Sequence, residues 1–122
     1  MSKTKCLVVD DQKVMRNMIK KMLDPEKFDI VEASNGKEAL EVLGSDADIS
    51  LVISDINMPV MDGLELLDRR KELEHHQNTD FVVITSIRTD SAIQQVQEKG
   101  AAGWLTKPFK KEQLDELLGL LV

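Results

Sequence analysis

Asp55 follows the run Leu51-Val-Ile-Ser, and the chain turns at once through Ile-Asn57-Met-Pro59. Apolar residues such as Leu51 to Ile53 make a strand buried on both faces, so the carboxylate falls at a sheet's rim. Pro59 ends that strand, having no N–H to give a ladder. Three other apolar runs end in polar groups: Asp10-Asp11 after Cys6 to Val9, Thr85-Ser86 after Phe81 to Ile84, and Thr106-Lys107-Pro108 after Trp104-Leu105. Brought together, three carboxylates crowd. Two like charges ~5 Å apart at an effective dielectric of about 20 repel by roughly 3 kcal/mol. A hard cation resolves the conflict, and a small all-oxygen ligand set suits Mg²⁺. The Lys107 ammonium and the Thr85 hydroxyl can then meet phosphoryl oxygens. A carboxylate nucleophile, Mg²⁺, lysine and hydroxyl make a phosphoryl-transfer site in which Asp55 can become an acyl phosphate.

The elements must bring these ends together. Val14, Met15, Met18, Ile19, Met22 and Leu23 repeat at helical spacing until Asp24-Pro25 stops them. Phe28 to Ala33 alternates as a second strand, and Asn35-Gly-Lys-Glu38 caps a helix with Ala39, Leu40 and Leu43 inward. Asp62-Gly-Leu-Glu65 opens a third helix close to a capping box, carrying Leu64, Leu67 and Leu73. Glu74 to Thr79 is polar and unpatterned, a surface loop. Asp90 to Lys99 is a helix with Ile93 and Val96 inward, closed by Gly100, and Leu114, Leu117, Leu118 and Leu121 stripe the last helix. Strand and helix alternate five times with no repeat or linker, which predicts an α/β domain: a parallel sheet with helices on both faces. In such sheets the functional crevice lies beyond the carboxyl ends of the strands. Asp10-Asp11, Asp55, Thr85 and Lys107 are therefore expected neighbours.

Composition narrows the function. At 122 residues, 42% apolar and 31% charged, the chain fits one domain over residues 1–122 with a real core. A formal charge of −6 argues against this domain binding nucleic acid or an acidic membrane directly. The single cysteine, Cys6, opens an apolar run and reads as a buried thiol. The N-terminus leads only four apolar residues before two acids, too short for a signal peptide or membrane span, so the expected location is the cytoplasm.

Val8-Val9-Asp10-Asp11, Asp55 with Met58-Pro59-Val-Met-Asp62-Gly63, Thr85-Ser86 and Lys107-Pro108-Phe109 together resemble the receiver domain of bacterial two-component response regulators. The similarity runs from about Lys5 to Leu121, with single-domain CheY-like members nearest through Met15-Arg16 and Met61-Asp-Gly-Leu-Glu-Leu-Leu67. The resemblance implies a doubly wound, flavodoxin-like sheet of order 2-1-3-4-5 with five helices. It implies that Asp55 accepts a phosphoryl group from a histidine kinase or phosphotransfer protein. Asp11, Asp55 and the backbone carbonyl of Asn57 would hold Mg²⁺, or Mn²⁺ in its place, with Asp10 acting largely through a metal-bound water. Lys107 would pair with the phosphoryl group and precede a cis Pro108. Thr85 would move toward that group and let an aromatic on the fifth strand, here Trp104, turn inward. Tyr or Phe is more usual there, and indole is bulkier with an N–H to satisfy. Asn57 and Ile87, each two residues past a site residue, would influence how long the phosphoryl group lasts. A downstream effector would bind helix four, strand five and helix five, with chemotaxis as the setting suggested by overall likeness.

Plainer readings stand beside these. Asp10 and Asp11 could cap the first helix; Asp62 reads as a cap; Trp104 could simply pack. His75-His76, in a polar loop far from the strand ends, reads as exposed and inert. Met15, Met18 and Ile19 either spill onto an outer edge where receivers dock kinases or form a wide core stripe. Two other functions compete. Haloacid-dehalogenase-type phosphatases also use a strand-end aspartate with Mg²⁺, but they want a second acid two residues later, where Asn57 stands. A phosphorylation-independent binding module would have lost a site residue, and none is lost. The chain reads as a phosphoacceptor, not an enzyme with a separate substrate, either alone or as part of a larger regulator.

Overall fold

The computed structural model describes residues 3–86 and 89–121. Five strands, β1 (Thr4–Val9), β2 (Phe28–Ala33), β3 (Ile49–Asp55), β4 (Asp80–Thr85) and β5 (Gly103–Thr106), pair in parallel in the order β2-β1-β3-β4-β5. The helices between and after them are α1 (Lys13–Met22), α2 (Gly36–Ser45), α3 (Gly63–Arg69), α4 (Asp90–Glu98) and α5 (Lys111–Leu121). Alternate side chains of each central strand enter opposite cores, as a period of two requires. Leu7, Val9, Val52, Phe81 and Val83 pack with Ala39, Leu43, Leu66, Leu67 and Val96, under α2, α3 and α4. Cys6, Val8, Leu51, Ile53, Val82 and Ile84 pack with Ile19, Leu23, Leu114 and Leu118, under α1 and α5. Both faces are covered, which explains why these strands are apolar throughout.

Local signals place the helix starts. Asn35 accepts from the Glu38 N–H and Asp62 from the Glu65 N–H, each at 2.8 Å, as the sequence predicts. Gly100, with φ of 90°, closes the turn after α4 in the left-handed conformation that favours glycine. Gly63 is required for packing: a Cβ there would lie 2.1 Å from the Asp55 carbonyl oxygen, so α3 starts directly against the end of β3.

Three expectations change. On α1 Ile19 is core and Met15 packs on it, whereas Val14 and Met18 face solvent, so the stripe is narrower than its apolar count. On α3 Leu66 is fully buried beside Leu67 while Leu64 is only half-buried, and the helix ends at Arg69. The 74–79 segment lies at the surface as expected, with Glu74, His75, Gln77 and Asn78 exposed, but it is not all outside. It contains a 3₁₀ turn at Glu74–His76, and His76 is buried, with Nδ1 2.8 Å from Thr79 Oγ1 and Nε2 2.8 Å and 2.9 Å from the carbonyls of Leu43 and Asp46. Arg70, also buried, donates to the carbonyls of His76, Gln77 and Gly100 and lies 5.9 Å from the Phe81 ring centroid. The Leu43 and Asp46 carbonyls are distant in sequence, which is why a local reading leaves His76 outside.

Candidate phosphoacceptor site

The carboxyl ends of β1, β3 and β5 converge. Asp10, Asp11 and Asp55 each present a carboxylate oxygen within 4.8 Å of the others. Lys107 Nζ lies 3.1 Å from Asp55 Oδ2 and 3.7 Å from Asp10 Oδ2. Asp10 and Asp55 are nearly buried and Asp11 is exposed, so the cluster opens toward solvent on one side. Each inner acid is fixed by its own backbone. Asp10 Oδ1 accepts from the Gln12 N–H at 2.9 Å, and Asp55 Oδ1 accepts from the Ile56 N–H at 2.8 Å. Asp10 therefore does not cap α1. Gln12 holds that position and makes no side-chain cap bond.

Burial pushes the Asp10 carboxyl above the ordinary carboxylate range, and the neighbouring Asp55 charge pushes it further; the Gln12 N–H and Lys107 pull the other way. Lys107, with its side chain 21% exposed, pairs with two of the three acids. The donor set is all oxygen and converging. These residues fit a hard divalent cation such as Mg²⁺.

The other predicted residues lie on β4 and β5 or just beyond the ends of the strands. Thr85 ends β4, is buried, and its carbonyl accepts from the Lys107 N–H at 2.7 Å. The Lys107–Pro108 peptide is cis. Asn57 is exposed two residues beyond Asp55 in the β3–α3 loop. Trp104 lies opposite Val83 in the β4–β5 register, half-buried and packed against the core under α2, α3 and α4. Ile87 lies outside the described residues. The local sequence reading gave Arg16 and Glu32 no role: Arg16 donates to the Asp10 carbonyl at 2.6 Å and to Glu32 at 3.0 Å. The signal available was an acid, Glu32, near the end of a strand that is otherwise mostly apolar.

A doubly wound sheet with an acid cluster and a lysine at its strand ends defines a class: α/β domains that carry chemistry at the topological switch point. Comparison with known proteins narrows it. Residues 6–119 match the response regulator receiver domain. The chain is 39% identical over 106 residues to the chemotaxis protein CheY of Halobacterium salinarum, covering 86% of this chain and 85% of that one. It is 35% identical over 111 residues to the two-component response regulator ORR5 of Oryza sativa subsp. japonica, covering 91% and 83%. Among solved structures, the Vibrio cholerae chemotaxis protein CheY4 superposes with a TM-score of 0.91 at 30% identity, covering 99% of this chain and 100% of that one. The CheX–CheY–BeF3–Mg²⁺ complex of Borrelia burgdorferi shares the fold, with a TM-score of 0.89 at 24% identity over 98% and 90%. The chain belongs to the response regulator receiver family. It is a phosphoacceptor signalling switch and not a conventional enzyme.

Proposed function

We propose that residues 1–122 form one receiver domain in which Asp55 accepts a phosphoryl group from a histidine kinase or phosphotransfer protein. The observation that carries this is the placement of Lys107 Nζ 3.1 Å from Asp55 Oδ2 within a group of three converging carboxylates. An Asp55 oxygen attacks phosphorus, the phosphorus–nitrogen bond to the donor imidazole breaks, and the imidazole nitrogen keeps the bonding pair and takes a proton. Asp11, Asp55 and the Asn57 backbone carbonyl would hold Mg²⁺, with Asp10 reaching it through water and Mn²⁺ able to substitute. When bound, the cation neutralises charge on the transferring phosphoryl oxygens.

This chain's own residues do the rest. Lys107, already beside the acceptor oxygen, pairs with the added charge. Thr85 donates its hydroxyl to a phosphoryl oxygen, and Trp104 responds by turning inward, changing the face of α4, β5 and α5 that an effector reads. Asn57, beside the acceptor, influences how long the phosphoryl group lasts. Similarity to both an archaeal chemotaxis protein and a plant response regulator supports the signalling role; chemotaxis is the setting we favour, on the 39% identity to CheY. Action in the cytoplasm accords with a described chain in which no helix is long and apolar enough to cross a membrane.

Intact-mass spectrometry after adding acetyl phosphate, with and without Mg²⁺, tests this on wild type and Asp55→Asn. One added phosphoryl group that requires both Mg²⁺ and Asp55 is the expected result. A folded protein with no adduct under any condition would instead favour a module that binds partners without phosphorylation.

A further inference from the structure

Asp10 is held on three sides. Its N–H donates to the Ala33 carbonyl at 3.2 Å, its Oδ1 accepts from the Gln12 N–H at 2.9 Å, and its own carbonyl accepts from Arg16 Nη1 at 2.6 Å. Only the last of these comes from a side chain. Arg16 sits on α1 with its side chain 15% exposed, and its Nε donates to Glu32 Oε1 at 3.0 Å. The other Glu32 oxygen accepts from Lys20 Nζ at 2.9 Å. One carboxylate on β2 thus fixes two cations a helical turn apart, and one of them reaches back across the first turn of α1 to the end of β1.

That reach matters because, beyond its backbone N–H bonds, the start of the helix has no side-chain cap. Gln12, the N-cap of α1, makes no side-chain cap bond, so capping does not set the entry angle of the helix. Arg16 does so through two donors pointing in different directions, which a planar guanidinium provides and a single ammonium cannot. Its charge is met by Glu32, and its contact at the site is with a carbonyl, not with the clustered carboxylates. Among the described residues Lys107 is the cation that touches those, at 3.1 Å and 3.7 Å. Arg16 therefore acts on the geometry of the acid cluster more than on its charge.

We propose that Arg16, held by Glu32, is a positioning residue for divalent-cation binding, fixing the β1–α1 turn so that Asp10 and Asp11 converge with Asp55. This rests on the reading that these three aspartates hold the cation. Partners one shell outside the ligands of a metal typically change its affinity by about 10- to 100-fold when removed.

The test is Mn²⁺ binding, read as the electron paramagnetic resonance signal of the free ion, with Mg²⁺ as competitor. The proteins are wild type, Arg16→Ala, Arg16→Lys, Glu32→Gln and the Arg16→Ala/Glu32→Gln double variant. Arg16→Ala is expected to weaken binding about tenfold or more, and Arg16→Lys to restore only part of the loss. Glu32→Gln is expected to weaken it less. The double variant should bind like Arg16→Ala alone, because Glu32 acts through Arg16. Saturating Mg²⁺ should return phosphoryl uptake by Arg16→Ala to the wild-type rate. A lowered metal-free Tm with unchanged Mn²⁺ affinity would mean that Arg16 only stabilises the fold, and would overturn the proposal. Should Arg16→Ala not fold, an unchanged affinity in Glu32→Gln overturns it equally. Wild type that binds neither ion overturns the metal reading itself, a result distinct from equal binding by wild type and variants.

Discussion

Val60 carries a cost in the loop that presents Asp55. Its φ is 71°, the only positive value at a non-glycine position among the described residues, and the Met61 N–H donates to the Pro59 carbonyl at 2.8 Å around it. That is a tight three-residue turn, in a conformation that costs an L-residue roughly 1–2 kcal/mol, more awkwardly for a β-branched one. The loop tolerates it because both flanks are fixed: Gly36 N–H donates to the Met61 carbonyl at 3.0 Å and Gly63 N–H to the Ile56 carbonyl at 2.8 Å. Val60 is 76% exposed, so replacing it forfeits little burial. Val60→Gly, with a residue that enters positive φ without a Cβ penalty, should raise stability by about 1 kcal/mol, or roughly 4 °C in Tm. Thermal denaturation showing no gain would mean that the turn is not strained. At this scale the sequence is most readable where a residue's environment is set by its neighbours. Asp55 and Lys107 are legible because each stands one polar residue past an apolar run. His76 is not, because the carbonyls that bury it belong to Leu43 and Asp46.

Between elements, the seam joining α1 to β2 is electrostatic. Hydrogen bonding from Lys20, then from Arg16, holds the Glu32 carboxyl below its ordinary range against the opposing effect of burial. A folded-state value lower than the unfolded one gives stability that is present above the unfolded pKa, near 4.3, and is lost as pH falls through the folded value. The gap in unfolding free energy between wild type and Glu32→Gln should therefore stand at pH 6 and close between about pH 5 and pH 3. The Glu32 side chain is 33% exposed, so the gap should stay under about 1 kcal/mol. Denaturant titrations across that range check it, and a pH-independent gap would contradict it. Element order and the parallel sheet follow from the sequence because every central strand is a short apolar run bounded by turn residues. Lengths and faces are less legible. The period of α1 marks Val14 and Met18 as apolar without saying that its neighbours leave them uncovered, and the Leu66-Leu67 pair shows one helix using a wider buried arc than regular spacing suggests.

Over the whole molecule, the two cores make the central strands the last part to open. Cys6 lies in β1, between β2 and β3, and burial pushes its thiol up to about 12. Thiolate is the reactive form, so native protein at pH 8 should resist a maleimide or disulfide reagent over hours, and denatured protein should react within minutes. Ready labelling of the native state would show that β1 opens locally. The fold also sets two poles. The acids and Lys107 gather at the carboxyl ends of the strands, while His76 and Arg70 tie the approach to β4 to the end of α2 and the turn before β5. With Nε2 shared between two carbonyls, His76 holds a ring proton away from solvent. Its nuclear magnetic resonance signal is thus a built-in clock for the lower pole, read by exchange with deuterium. Its rate with and without a phosphoryl group on Asp55 would say whether a signal arriving at one end of the molecule loosens the other.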